Sequence, residues 1–265
     1  MKRFLKYFLL ALIGLPLLGT ATLVGAYFYV SATLPKVETL SDYQPPLITR
    51  IYADDGTIIA EYSKERRILV PFEKMPKTLV QAFVAAEDSS FFKHQGIDFQ
   101  SILRAALKNV KAGGIAQGGS TITQQVAKKL LLTSERTFSR KFKEAILAWR
   151  MEKALSKEDI LYLYLNQIYL GHRAYGVEAA AENYFDKNVE QLTLAESAIL
   201  AGLPQAPSRY SPYRHYERAM KRQKYVLKRM VKEGFITQVE ADAAATEEVT
   251  IKPRLNNLLD VTAYF

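Results

Sequence analysis

Cysteine is absent from these 265 residues. That excludes disulfides, thiolate metal sites and a cysteine nucleophile. Histidine is scarce: His94, His172 and His215 stand far apart, and none lies in an H-E-x-x-H pattern. No motif for a protein-bound zinc or other metal is therefore present. No S-x-x-K is accompanied by K-T-G, so the matching acyl-transfer signature is missing. Repeats and low-complexity runs are also lacking.

Charge is missing from one long stretch, Tyr7 to Pro35, which follows Lys2, Arg3 and Lys6. That length exceeds the roughly 20 residues that span a bilayer. It is also longer than the apolar core of a signal peptide, about 7 to 15 residues. The positive flank predicts a cytoplasmic N-terminus and a chain that continues on the far side of the membrane. Elsewhere positive charge is abundant, with 36 Lys and Arg against 27 Asp and Glu, a net charge of +9. Such a balance favours an anionic partner. The anchor turns the basic domain away from the cytoplasm, which argues against nucleic acid.

Residues 36–46 end in Pro45-Pro46 and read as a linker. LITRIYADDGTIIAEYS reads as a β-hairpin around Asp54-Asp55-Gly56, and RRILVPF as a third strand. From Pro76 the pattern is helical. Asp98 can cap an amphipathic helix that Gly113-Gly114 stop; with Arg104, Lys108 and Lys111 it suits either a membrane surface or ordinary packing of its apolar face on the core. Ser120 can cap a helix to about Leu132. SKEDILYLYLNQIYLG reads as a helix from Ser156 to Gly171. Thr193 and Thr237 each precede a glutamate by three, the capping-box spacing. The division is an anchor at 1–35, a linker with hairpin at 36–70, a mostly α domain at 71–245 and a further linker at 246–265.

Three segments carry the chemistry. AAEDSSFFKHQG places Glu87 and Asp88 among Phe91, Phe92 and His94. An apolar wall can raise a carboxylate's pKa toward that of a working acid or base. His94 is read as hydrogen-bonding within its own loop rather than reacting, and is counted among the substrate-binding residues. QGGSTITQQVAKK puts Ser120 and Thr121 at a helix start, where free N–H groups attract anions. Gln125 and Lys128 follow, three apart on one face. ERTFSRKFKE sets Glu144 beside Arg140 and Lys141 at helical spacing, with Arg136 just before. That is either surface ion pairing, worth little, or a cationic wall with one carboxylate. Sugar chemistry with an anionic leaving group accounts for all three segments.

In this order, EDSSFFKHQG, GGSTITQQVAKK, RKFKE, KEDILYLYLNQIYLG with AYGVEAAAENYF, and LTLAESAILAGLPQAPSRYSP resemble the motifs of the family 51 peptidoglycan glycosyltransferases. With the anchor and hairpin, the chain is similar to the N-terminal half of class A penicillin-binding proteins of the 1A type, and DVTAYF resembles the entry to their second half. The resemblance implies a lysozyme-like, bilobal domain that dips into the membrane. It also implies polymerisation of lipid II into β-1,4 glycan strands, with inversion and release of undecaprenyl pyrophosphate. Glu87 matches the general base, Asp88 a supporting acid and Glu144 the second carboxylate. Ser120, Thr121, Gln125, Lys128, Arg136, Arg140 and Lys141 match the donor and pyrophosphate site. Implied partners are lipid II, the growing strand, membrane lipid and other cell-wall synthesis proteins. No resident cofactor is implied beyond a divalent cation, Mg or Mn, at the pyrophosphate. The sequence departs from the pattern at Lys129, where Asn is common, and at Asp186, where Gly is common. A lysozyme-like hydrolase or lytic transglycosylase is the rival reading, since it too uses carboxylates on sugars; it has no pyrophosphate to neutralise.

Overall fold

The computed structural model describes residues 2–35, 37, 49–56, 58–62, 65–114, 118–132 and 138–252. Most of the linker read at 36–46, Arg136 and the segment after 252 lie outside the described residues.

The N-terminal helix α1 (Lys2–Ala32) carries Pro16 inside it. The hydroxyls of Thr20 and Thr22 donate back to the carbonyls of Pro16 and Leu18, both at 2.8 Å. Its stretch Gly14–Ala32 is long and apolar enough to cross a membrane, and no described residue in it is buried. The hairpin follows as β1 (Thr49–Tyr52) and β2 (Ile58–Tyr62), paired antiparallel. The third strand, β3 (Arg66–Arg67), leaves the hairpin and joins a different sheet.

The rest is mostly helical, as read from the sequence. The helices are α2 (Lys77–Glu87), α3 (Phe99–Ala112), α4 (Ile122–Leu130), α5 (Phe138–Ala154) and α6 (Lys157–Gln167). Two short strands, β4 (Tyr169–Gly171) and β5 (Ala174–Tyr175), precede α7 (Val177–Phe185). Then come α8 (Leu194–Gly202), α9 (Tyr216–Lys232) and α10 (Gln238–Thr246).

One apolar core joins two packed groups, α2 with α8, α9 and α10, and α4 with α5 and α6. Phe83 of α2 meets Tyr164 of α6 edge to face, with centroids 6.1 Å apart, and so links the groups. Helix α8 is buried from Ala195 to Gly202, and its small side chains let α2 and α9 approach. At α9 the Arg229 Nε donates to the Ala85 carbonyl near the end of α2 (3.1 Å).

Two boundaries differ from the sequence reading. Helix α6 stops at Gln167 rather than Gly171, because the next residues are taken by a sheet. Strand β5 lies between β3, parallel to it, and β4, antiparallel to it. Asn166 secures this corner: its amide both accepts from and donates to the backbone of Val70 (3.0 and 3.1 Å). Gly176 crosses so close that a Cβ there would lie 2.8 Å from the Asn166 carbonyl oxygen. The second difference is at α4, where Thr121 rather than Ser120 is the cap. Its hydroxyl accepts from the Gln124 N–H, and the Gln124 side chain returns to the Thr121 N–H.

Helix α3 is capped by Asp98 and ends at left-handed Gly113, as read. Among its described side chains only Ala105 is buried, whereas Phe99 and Val110 are 74% and 81% exposed and Leu103 and Leu107 lie open between them. Burial alone would raise the Asp98 carboxyl, but hydrogen bonds from the Ser101 and Ser90 hydroxyls and the Ser101 N–H hold it at about 2.

Asp186 closes α7 with φ 57, in the left-handed region. An L-residue there costs on the order of 1 kcal/mol, a cost glycine escapes. Asp186→Gly should therefore raise the Tm by roughly 2 to 4 °C, read by thermal unfolding in detergent.

Candidate active site

The site is organised by Asp88, the residue that ends α2. Its carboxylate is buried and accepts from the Ile122 N–H at the start of α4 (2.9 Å). The same carboxylate lies 3.0 and 3.1 Å from Nε2 of His94. The Gly96 N–H donates to the other ring nitrogen, Nδ1 (3.1 Å), so Nδ1 carries no proton and Nε2 is the donor to Asp88. The Gly96 carbonyl accepts from the Thr121 hydroxyl (2.7 Å). A loop from α2, a histidine and the cap of α4 thus form one closed network. Gly96 has φ 86, and a Cβ there would sit 2.7 Å from the Ala148 carbonyl carbon and oxygen on α5. No other residue fits.

Glu87 stands beside this network and is treated differently. It is half-buried on the last turn of α2. Burial pushes its carboxyl above the usual glutamate range. A hydrogen bond from Gln125 Nε2 (3.0 Å) and the charge of Arg222 oppose that rise, and the negative charge of Asp88 adds to it. Glu87 is thereby suited to take up a proton.

The second carboxylate has the reverse environment. Glu144 is 1% exposed, yet it pairs with Lys141 Nζ at 2.5 Å and with Arg140 Nε at 3.0 Å. Lys141 also donates to the Ser120 hydroxyl (3.1 Å). Lys128 on α4 faces this group. Its ammonium is pushed below the usual lysine range by burial and by the charges of Arg140, Lys141 and Lys129, against the pull of Glu144. Three cations, Arg140, Lys141 and Lys128, thus act on one carboxylate, and among the described residues Lys128 has no ion-pair partner. An excess of close positive charge is a place for a polyanion.

Helix α4 joins the two halves. Gln125 reaches Glu87, and Lys128, three residues on, faces Glu144, about 4.5 Å further along the axis. Of the residues picked from sequence, Glu87, Gln125, Lys128, Arg140, Lys141, Glu144 and Ser120 border this region. Thr121 and His94 do not face it: both are spent on the internal network, Thr121 as a buried cap. Asp88 is likewise fully engaged and positions the loop.

Two neighbours of Glu87 escaped the sequence reading. Arg222 of α9 is held by its Nε on the Gly202 carbonyl (3.3 Å), with its guanidinium 4.4 Å from the Tyr225 ring centroid. It was one cation among many on a basic helix, and nothing in the sequence set it apart. Tyr164 of α6 has a buried hydroxyl with no hydrogen-bond partner among the described residues. Burial, then the charges of Glu87 and Asp88, push its phenol upward. Its place in ILYLYLN, a segment quoted for the resemblance, was the available signal.

A desolvated carboxylate and a cation cluster thus share one helical domain, and the chain belongs to the transglycosylase family, whose model matches residues 55–231. Penicillin-binding protein 1A of Escherichia coli (strain K12) is 48% identical over 93% of this chain and 29% of its own length. Penicillin-binding protein 1A of Pseudomonas aeruginosa is 47% identical over 85% of this chain and 27% of its own. A crystal structure of penicillin-binding protein 1A from Haemophilus influenzae is 30% identical, covers 79% of this chain and 22% of that one, and has a TM-score of 0.46. The chain thus spans about three tenths of the length of the curated relatives it matches.

Two outcomes test this geometry. Gly96→Ala should lower stability by about 2 kcal/mol or more, since it adds left-handed strain to a backbone clash; chemical denaturation measures it. Glu87→Gln should stabilise the protein at neutral pH. Because the folded-state pKa is raised, ionising Glu87 costs stability above that pKa and nothing below the unfolded value. The gain in Tm should therefore shrink as the pH falls through the folded pKa and vanish near pH 4. An equal gain at every pH would show that Glu87 is not desolvated.

Proposed function

We propose that this domain polymerises a lipid-linked disaccharide pyrophosphate, lipid II, into β-1,4 glycan strands for the bacterial cell wall. The observation that carries this reading is the link through α4 between a carboxylate of raised pKa and a cation cluster with charge to spare. The names of the relatives support the setting. Glu87 takes the proton of the acceptor 4-hydroxyl, and the freed oxygen bonds to C1 of the donor sugar. The C1–O bond to pyrophosphate breaks on the opposite face, so configuration inverts. The electron pair leaves with undecaprenyl pyrophosphate, whose growing charge Lys128, Arg140 and Lys141 stabilise. Ser120 and Lys141 orient the donor, Gln125 orients Glu87, and Arg222 keeps the base ionisable.

Among the described residues no three His, Asp or Glu side chains converge on one point. Glu144 is already paired with two cations. The side-chain cations serve the pyrophosphate, and a divalent cation, Mg or Mn, would bind through that group.

The setting is a membrane surface. Helix α1 anchors the chain in the inner membrane with its basic end in the cytoplasm. The open apolar side of α3, flanked by Arg104 and Lys108, rests in the outer leaflet of that membrane. Other cell-wall synthesis proteins act on the same nascent strand. A hydrolase would leave the cation cluster without a task.

With labelled lipid II in detergent, the parent protein should form glycan strands, and Glu87→Gln should be slower by about 10²- to 10⁴-fold. Polymeric peptidoglycan should not be cut. Strand cleavage without synthesis would establish the hydrolase instead.

A further inference from the structure

The outer side of α5 carries an apolar stripe that the site above does not use. Phe142 and Trp149, seven residues apart, are 39% and 37% exposed. They lie on the side of the helix opposite the buried Leu147, Ala148 and Met151. Lys141, Ala145, Trp149 and Lys153 form one i, i+4 ridge. Its first member belongs to the cation cluster. At its other end Lys153 Nζ lies 3.8 Å over the Trp149 ring. The adjacent Arg150 donates to the Ser31 carbonyl (3.4 Å) and hydroxyl at the C-terminal end of α1. The ridge therefore runs about 12 Å from an anion site to the membrane anchor.

A soluble sugar nucleotide has no use for such a ridge, whereas an amphiphile with an anionic head and a long apolar chain matches both ends. We propose that the ridge of Lys141, Ala145 and Trp149, with Phe142 beside it, is the path of the donor's polyprenyl chain from the pyrophosphate site to the bilayer. This rests on the glycosyltransferase reading. The pyrophosphate sits at Lys128, Arg140 and Lys141, and the first isoprene units lie on Ala145, Phe142 and Trp149. The ammonium of Lys153 stays over the indole and marks the level of the head groups.

Trp149 is the sole tryptophan of the chain, so indole emission, excited selectively over the tyrosines, reports on this ridge alone. In detergent, polyprenyl pyrophosphate with a nitroxide on its head-proximal isoprene units should quench that emission saturably, and the unlabelled compound should relieve it. Saturable binding of the unlabelled compound with no quenching by the labelled one would overturn the path. Quenching by a brominated phospholipid that polyprenyl pyrophosphate does not relieve would assign the ridge to bulk lipid, and would also overturn it. The quench needs no turnover, so its failure is distinct from a failure of the parent protein to polymerise lipid II. In steady-state assays Phe142→Lys with Trp149→Lys, checked for helicity, should raise KM for the long-chain donor about tenfold, with kcat little changed. A fall in kcat at unchanged KM would count against the path.

Discussion

The carboxylate of Asp88 lies where the end of α2 meets the start of α4, out of contact with solvent. An unpaired charge in that position would cost several kcal/mol. It is tolerated because the first N–H of α4 points at it, the positive end of that helix favours it, and His94 donates to it. Through His94 the same charge reaches Gly96 and Thr121, and through Gly96 it reaches the backbone of α5. The relative placement of α2, α4 and α5 follows from this one buried anion. Glu87, Gln125 with Lys128, and Glu144 ride on those three helices, so the site inherits its geometry from a buried residue whose carboxylate is bonded within the scaffold.

Three neighbouring carboxylates then take three roles, set by their surroundings. Asp88 is satisfied by hydrogen bonds and holds the scaffold. Glu144 is buried but neutralised by Arg140 and Lys141, and it orders those cations for a ligand of higher charge. Glu87 is desolvated with only one hydrogen bond and a more distant arginine to offset the burial, so its proton affinity rises. Environments that drive like groups apart are how one fold holds both a base and an electrostatic stabiliser.

The apolar surface follows the same division. Helix α3 exposes a broad face and, among its described side chains, buries only Ala105, whereas α5 is buried along one side and exposes a narrow ridge tied to α1 by Arg150. The first suits a bilayer, with its wide contact and flanking cations. The second suits a single chain.

Much of this was determined by sequence. The uncharged N-terminal run, the Asp98, Ser156, Thr193 and Thr237 caps, and the stop at Gly113 are local events, decided by side chains within four residues of one another. The segments holding Glu87, Gln125, Lys128 and Glu144 were legible for the same reason, as carboxylates, amides and cations at helical spacing. Contacts between distant residues decided the rest. Helix α6 ends at Gln167 because β3, a hundred residues earlier, pairs with β5 and Asn166 clasps Val70. His94 and Thr121 turn inward because Asp88 and Gly96 claim them. Arg222 and Tyr164 meet Glu87 only once α9 and α6 pack against α2. Capping and periodicity act over a few residues and can be read along the chain. The burial that raises one carboxyl and the partners that satisfy another exist only after the helices have closed around them.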